Sequence, residues 1–384
     1  MFELLPIIII GLVFAGISEK QSKKIVNDSG IVYYEKKDVV FYLIAVVVLA
    51  TFVGLRKVYN DTGVYIDQYN SIELTGVFPN FLFNDIDWNI SSNFGFTIIM
   101  RLLKFLHFSD QSFLMFFAFF ILGVYFWFIR KYSNNIFLSV FYVITMGIYT
   151  FTMGALRQCI AIAICLIAVD CFLTKKYALF VLLVLFATTF HQYAFIFLIV
   201  PLLSFSPWTS RTYIVVFLFL IGSFGMQSIL EAIDDFTLAM GKTYSTGSFS
   251  GKGVNVFRLI VVWIPTALSF ILKDKLINDG SRAENLFINL SMINAEIMFL
   301  GLFGTANYFA RLANFFLIFQ TISLPVIIQK YPVAERKFLT TGSIIGYSLY
   351  FIYANTIAQG GFDNNYFGIS FFDYIFDYIN NIFV

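Results

Sequence analysis

The chain has 384 residues, 59% hydrophobic and 12% charged, with a mean hydropathy of +0.81. Several apolar stretches reach the roughly 20 residues that span a bilayer core, which excludes a soluble globular protein and makes spans, not domains, the unit of organisation. A net charge of +2, with the basic residues scattered in short loops, excludes the dense cationic surface of a nucleic-acid-binding protein.

In chain order the hydrophobic stretches predict about twelve spans, at 2–17, 38–55, 111–129, 136–152, 158–173, 177–190, 192–206, 212–229, 255–272, 284–303, 309–329 and 338–356. The chain thus reads as an all-α integral membrane protein, a single polytopic membrane domain over 1–384. The first apolar stretch begins at Phe2 with neither a basic leader nor a cleavage site and is expected to stay as a membrane helix. The segment 94–108 is amphipathic and carries Arg101 and Lys104, so it reads as an interfacial or re-entrant helix that does not cross. Cys159, Cys165 and Cys171 share one span. At a spacing of six, neighbours lie about 120° apart around a helix, which suits apolar filler and not a metal site or a disulfide.

Positive charge orients the chain. With the 18–37 loop in the cytoplasm, bearing Lys20, Lys23, Lys24, Lys36 and Lys37, most of the 25 lysines and arginines fall inside. Both termini then lie outside, with a first external loop at 56–110, a second at 230–254 and an external tail from 357. Counting 94–108 as a crossing would reverse every later loop and expose Lys175, Lys176, Arg336 and Lys337. In the favoured threading Arg56, Arg157, His191 and Arg311 all come to external helix ends.

An arginine at a membrane edge is costly and points to function. Arg157 can hold a pyrophosphate through two N–H groups, with Gln158 as a neutral donor beside it; snorkelling to the headgroups is the plain alternative. Arg311, where a late span begins, can share a diphosphate's charge or simply anchor the helix. His191 sits at another break, and an imidazole there can take a proton from a sugar hydroxyl, contact phosphate, or serve as a hydrogen-bonded core group. Arg56 is followed by Asp61, Tyr65 and Asp67, types that orient sugar hydroxyls, act as a base or stack on sugar faces, and that also occur as ordinary loop residues. Asp85 and Asp87 form an Asp-x-Asp pair of the kind that holds a metal in nucleotide-sugar enzymes, a weak signal in a chain with no nucleotide fold. Asp170 and Glu296 fall inside spans, where a carboxylate needs a partner or water, and Glu296 keeps a transporter reading open. The glycine-rich stretch 241–253 lacks P-loop spacing and reads as a connector or a lid.

Taken in order, these residues resemble the EpsG/Wzy-type polymerases of bacterial surface polysaccharides. Asn60-Asp61-Thr62 with Tyr65 is similar to that family's first external-loop motif, and Leu156-Arg157-Gln158 with Ala161 to its Leu-Arg-Gln helix start. Phe190-His191 with Ala194 resembles its Phe-His element, and Arg311 with Phe315, Phe316 and Pro325 its late arginine helix. Asn93 stands where an acidic residue commonly precedes the Gly-Phe pair, and Tyr193 replaces a small residue.

The resemblance implies a GT-C-like membrane glycosyltransferase in the bacterial cytoplasmic membrane. A growing glycan would leave undecaprenyl diphosphate for the terminal sugar of an incoming lipid-linked repeat unit, outside the membrane. It implies Arg157 and Arg311 on the diphosphate with Arg56 as a third cation, His191 as base or phosphate contact, and Asp61 as sugar ligand or alternative base. Gln158, Tyr65 and Asp67 would bind substrate. No cofactor and no metal is expected. The partners would be the undecaprenyl-diphosphate-linked oligosaccharide, membrane lipids and a chain-length regulator protein, with no nucleic acid. The rival readings are a membrane glycosyltransferase using a lipid-phosphate sugar donor and a glycolipid flippase or exporter, which would place cations at several depths and on both faces.

Overall fold

Helices α1 (Leu4–Gln21) and α2 (Val40–Leu55) are joined by an antiparallel hairpin, β1 (Lys23–Val26) and β2 (Val32–Lys36), in a computed structural model that describes residues 4–26, 32–76, 78–239, 254–303 and 306–358. Among the described residues this two-stranded hairpin is the one sheet in an otherwise helical chain. Of its four pairs, Lys23 opposite Lys36 and Lys24 opposite Tyr34 carry the charge, while Ile25 opposite Tyr33 and Val26 opposite Val32 are β-branched or aromatic. Lys24 and Tyr34 both hold Glu19 at the end of α1.

The stretch after α2 folds into α3 (Thr62–Asn70), α4 (Asn80–Phe83), a 3₁₀ turn at Ile90–Ser92 and α5 (Phe94–Phe105). Then come α6 (Asp110–Tyr132), α7 (Ile136–Thr145), α8 (Ile148–Gly154), α9 (Leu156–Leu173) and α10 (Tyr177–Thr188). A 3₁₀ stretch, Gln192–Leu203, leads to α11 (Ser210–Phe224) and α12 (Met226–Ala239). The chain closes with α13 (Val256–Ile271), α14 (Lys273–Asp279), α15 (Arg282–Leu300), α16 (Ala306–Lys330) and α17 (Val333–Thr356). The loop expected at 230–254 is therefore helical as far as Ala239. The stretch 241–253 and most of the tail from 357 lie outside the described residues.

Each of the predicted spans coincides with a helix or helix pair, yet not all are spans by themselves. Among the described residues, α1, α6, α9 and Tyr308–Lys330 of α16 are long and apolar enough to cross a membrane. Helices α7 and α8 make a fifth span if taken together across a 51° bend. The bend falls at Gly147, whose φ of +84° disfavours residues with a Cβ. Helices α2, α10, α11, α13 and the stretch 192–203 are apolar but shorter. Helix α15 buries Asn289, Asn294 and Glu296, and α17 opens with Glu335, Arg336 and Lys337. The count of twelve thus rests on hydropathy, with four or five spans carried by individual helix length. Helix α5, at 12 residues, is about 18 Å long and too short to cross.

Buried amides fix the central helices. Gln320 Nε2 donates to Val262 O at 2.8 Å and to Asn294 Oδ1 at 2.9 Å, and Asn294 Nδ2 donates to Ala313 O at 2.6 Å. These bonds register α13, α15 and α16 in a core that apolar packing alone would leave free to slide. At one end of the bundle the basic loops interlock. Lys37 Nζ caps α6 by donating to Ser133 O at 2.8 Å, Lys275 Nζ donates to Lys330 O at 2.9 Å, and the Arg282 guanidinium lies 4.6 Å from the Phe172 ring centroid. Asp170 sits at this end, paired with Lys131 and Tyr132. The ends of α2, α8, α10 and the starts of α9, α13 and α16 gather at the other.

Candidate functional site

At that second end lies a cavity of about 880 Å³. Its lining comes from five parts of the chain: the α2–α3 corner, the turn before α5, the α7–α8–α9 breaks, the residues after α10, and the facing surfaces of α13, α16 and α17. Breaks in the helices are tolerated here because a polar cavity satisfies the backbone groups that hydrocarbon cannot. Met146 and Gly147 at the bend both line it.

Asp61 immediately precedes α3, and its carboxylate makes no cap bond to that helix, so it stays at the cavity wall. Asn60 before it takes a left-handed φ of +51° and lies against Gly154, where a Cβ would come within 2.5 Å of Asn60 Nδ2. That approach seats the α2–α3 corner on the start of α9. Tyr65, one turn into α3, is buried, and the Arg157 guanidinium carbon stands 5.8 Å from its ring centroid. Burial raises the Tyr65 phenol above its ordinary pKa, while the neighbouring Arg157 charge pulls it down.

His191 follows α10 in extended backbone, φ −156° and ψ 113°, with its N–H on Ala187 O at 3.1 Å. Its ring is set between Phe315 and Tyr193, with centroids 5.6 and 5.2 Å away. Arg311, exposed in the first turns of α16 and one turn before Phe315, lines the cavity too. Gln158 lines the cavity as well, but it is 97% buried, at 3% exposure, and its Nε2 donates to the Arg311 carbonyl at 2.6 Å. It therefore cross-links α9 to α16, a positioning part in place of the free donor expected.

Two of the expected site residues lie elsewhere. Arg56 is fully buried, donating from Nε to Thr62 Oγ1 at 3.1 Å and from Nη1 to Val53 O at 2.6 Å. It closes the C-terminus of α2 and supports the corner behind Tyr65 instead of facing the cavity. Asp67 is exposed and off the lining. Two residues along a helix is a turn of about 200°, so Tyr65 and Asp67 cannot both face inward. Asp85 and Asp87 are also off the lining, and Asp87 Oδ1 accepts from Asn89 N at 3.0 Å within its own turn. Asp170 is spent on its ion pair, and Glu296 is buried in α15 and is not among the lining residues.

The structure adds Arg258, which the sequence reading passed over. Asn255 caps α13, accepting from Phe257 N at 2.8 Å and donating to Tyr353 Oη at 2.7 Å, which fixes the first turn of α13 against α17. Arg258 then reaches the cavity, with Nη2 on Asn314 Oδ1 at 3.3 Å and Tyr350 nearby. Its signal was the one that marked Arg157 and Arg311, an arginine in the first turn of an apolar segment at an end expected to lie outside. Among the described lining residues, three arginines thus face one carboxylate, Asp61. Such a basin is electrostatically suited to a polyanion.

A model described as the EpsG family matches residues 39–376, well over half of the chain. No curated protein and no solved structure matches it.

Proposed function

The chain belongs to the EpsG family, and from that premise we propose that it is a membrane polysaccharide polymerase. It transfers an undecaprenyl-diphosphate-linked glycan to an incoming lipid-linked repeat unit at the external face of the bacterial cytoplasmic membrane. The reading takes all of the apolar segments as crossing and the cavity as opening outward. The interlocked basic loops at the opposite end favour that orientation.

The observation that carries the proposal is the meeting of Arg157, Arg258 and Arg311 with His191 and Asp61 around one cavity. In the reaction, a hydroxyl of the acceptor sugar attacks the anomeric carbon of the donor. The bond from that carbon to the diphosphate oxygen breaks, and undecaprenyl diphosphate departs with the electron pair. The acceptor's proton passes to His191 or, alternatively, to Asp61. The arginines stabilise the charge that grows on the leaving diphosphate, and the cavity wall orients the two sugars. Tyr65, buried beside Arg157, backs the guanidinium from the protein side.

A deletion strain complemented with wild type, Arg157→Ala or His191→Ala tests this. Wild type is expected to restore a ladder of surface glycan, and each variant to leave one capped repeat unit. Loss of every glycan, including the single unit, would overturn the reading in favour of an exporter or an earlier transferase.

A further inference from the structure

We propose that residues 78–106 form an aromatic shelf that docks into the membrane leaflet on the cavity side, holding the cavity rim at the lipid surface. The amphipathic helix α5 does not itself turn its main apolar stripe to lipid. Phe96, Met100 and Leu103, at helical spacing, are buried in the protein, Phe96 against Tyr65 at 5.8 Å and Phe117 at 5.7 Å. The preceding segment lies across the other side of α5 and presents its own rings outward.

Phe78 stacks on Phe105 at 5.4 Å and Phe83 on Trp88 at 6.1 Å, with Trp88 also against Phe94 at 5.4 Å. Despite this order, Phe78, Phe83, Trp88, Phe105 and Leu106 remain 56, 45, 57, 40 and 53% exposed. Arg101 is not a free surface cation, because Nη1 donates to the carbonyls of Phe81, Leu82 and Asn84 and so holds the shelf's backbone in place. A preorganised, exposed aromatic patch on a bundle of membrane helices matches the interfacial depth at which tryptophan and other rings are enriched.

Continuity with the lipid-facing belt identifies the occupant as the bilayer. Gly95 N donates to Thr189 O at 3.0 Å, joining α5 to the end of α10, whose Leu182, Leu185 and Phe186 are exposed. At the other end Phe108 meets Phe116, an exposed ring of α6, at 6.3 Å. The shelf thus runs between the ends of two helices with apolar outer faces. Its inner edge, Ser91 to Asn93, lines the cavity.

The test uses the full chain in phosphatidylcholine–phosphatidylglycerol nanodiscs, with Trp88 as the sole tryptophan after Trp127→Phe, Trp208→Phe and Trp263→Phe. Lipid brominated near the headgroup end of its chains is expected to remove most of the Trp88 emission, and aqueous iodide little of it. Should the triple replacement not fold, Trp88→Cys carrying a polarity-sensitive dye gives the same readout, since the native cysteines are buried. Quenching by iodide but not by brominated lipid would overturn the proposal and place the shelf in water. Protection from both quenchers would also overturn it and indicate that a second copy or another protein covers the patch. None of these outcomes depends on polymerase activity.

Discussion

The side-chain amide of Gln158 donates to the backbone carbonyl of Arg311 at 2.6 Å, so the residue beside one cavity arginine sets the position of another. Helices α9 and α16 are far apart in sequence, and this bond joins their starts where the cavity lies. Gln158→Leu is expected to destabilise the protein by about 1 kcal/mol, the usual net worth of a hydrogen bond, and to lower polymer yield by shifting Arg311. Thermal unfolding in detergent, read beside glycan ladders, checks this. Full yield from a normally folded Gln158→Leu would show that the cross-link does not matter to the site.

Arg157→Ala is expected to slow polymer formation by roughly 100-fold or more, the scale for losing one preorganised donor to a developing anion. Arg157→Lys keeps the charge but loses the paired N–H geometry and should fall between wild type and Arg157→Ala. Initial rates of the purified protein on a lipid-linked repeat unit measure both. Equal rates for lysine and arginine would show that charge alone is used.

Arg258 shares its cavity wall with Asn314, which accepts from it at 3.3 Å. Arg258→Ala should raise the substrate concentration needed for half-maximal rate and shorten the polymer. Asn314→Ala should do the same more weakly, since it only steers the guanidinium. Chain-length profiles from the two variants, run at several substrate levels, give the comparison. A stronger defect in Asn314→Ala would assign the anion contact elsewhere.

Gly154→Ala places a Cβ 2.5 Å from Asn60 Nδ2 and 3.3 Å from Asn60 Cγ. Overpacking of this kind typically costs about 1–3 kcal/mol, and here the part that must yield carries Asp61. Activity should therefore fall further than stability. Pairing Gly154→Ala with Asn60→Gly removes the clash and is expected to recover stability first.

Asp170→Asn serves as the counter-case. Its partner Lys131 is 40% exposed in the side chain, so solvent screens the pair and its loss should cost no more than about 1 kcal/mol. The glycan ladder should keep its wild-type distribution. A collapsed ladder would move function to the basic end of the bundle.

Much of the architecture was legible in the chain because membrane segments announce themselves by composition. Every predicted apolar stretch found a helix, and Arg157, His191, Arg311, Asp61 and Tyr65 were marked by charge or polarity at helix ends. Direction was harder to read. Tyr65 and Asp67 are close in sequence but face apart on α3, a consequence of helical geometry that motif reading overlooked. Arg56 carried the same outward signal as Arg157, yet Val53 O and Thr62 Oγ1 claim its guanidinium. The hairpin between α1 and α2 escaped notice because its lysines dominate the loop and hide the short β-branched pairs.

By itself, the sequence determined that this chain lives in a bilayer, that its long apolar stretches are helical, and which end bears the positive charge. Those properties follow from the local cost of putting polar groups in hydrocarbon, and they can be summed residue by residue. Only the tertiary structure decided that α7 and α8 break at Gly147, that Gln158 holds Arg311, and that Arg258 joins the cavity while Arg56 does not. Gln158 and Arg258 are placed by hydrogen bonds to a distant helix, Arg56 by the folding of its own corner and the bend by the backbone at Gly147. These arrangements are fixed only when the helices pack.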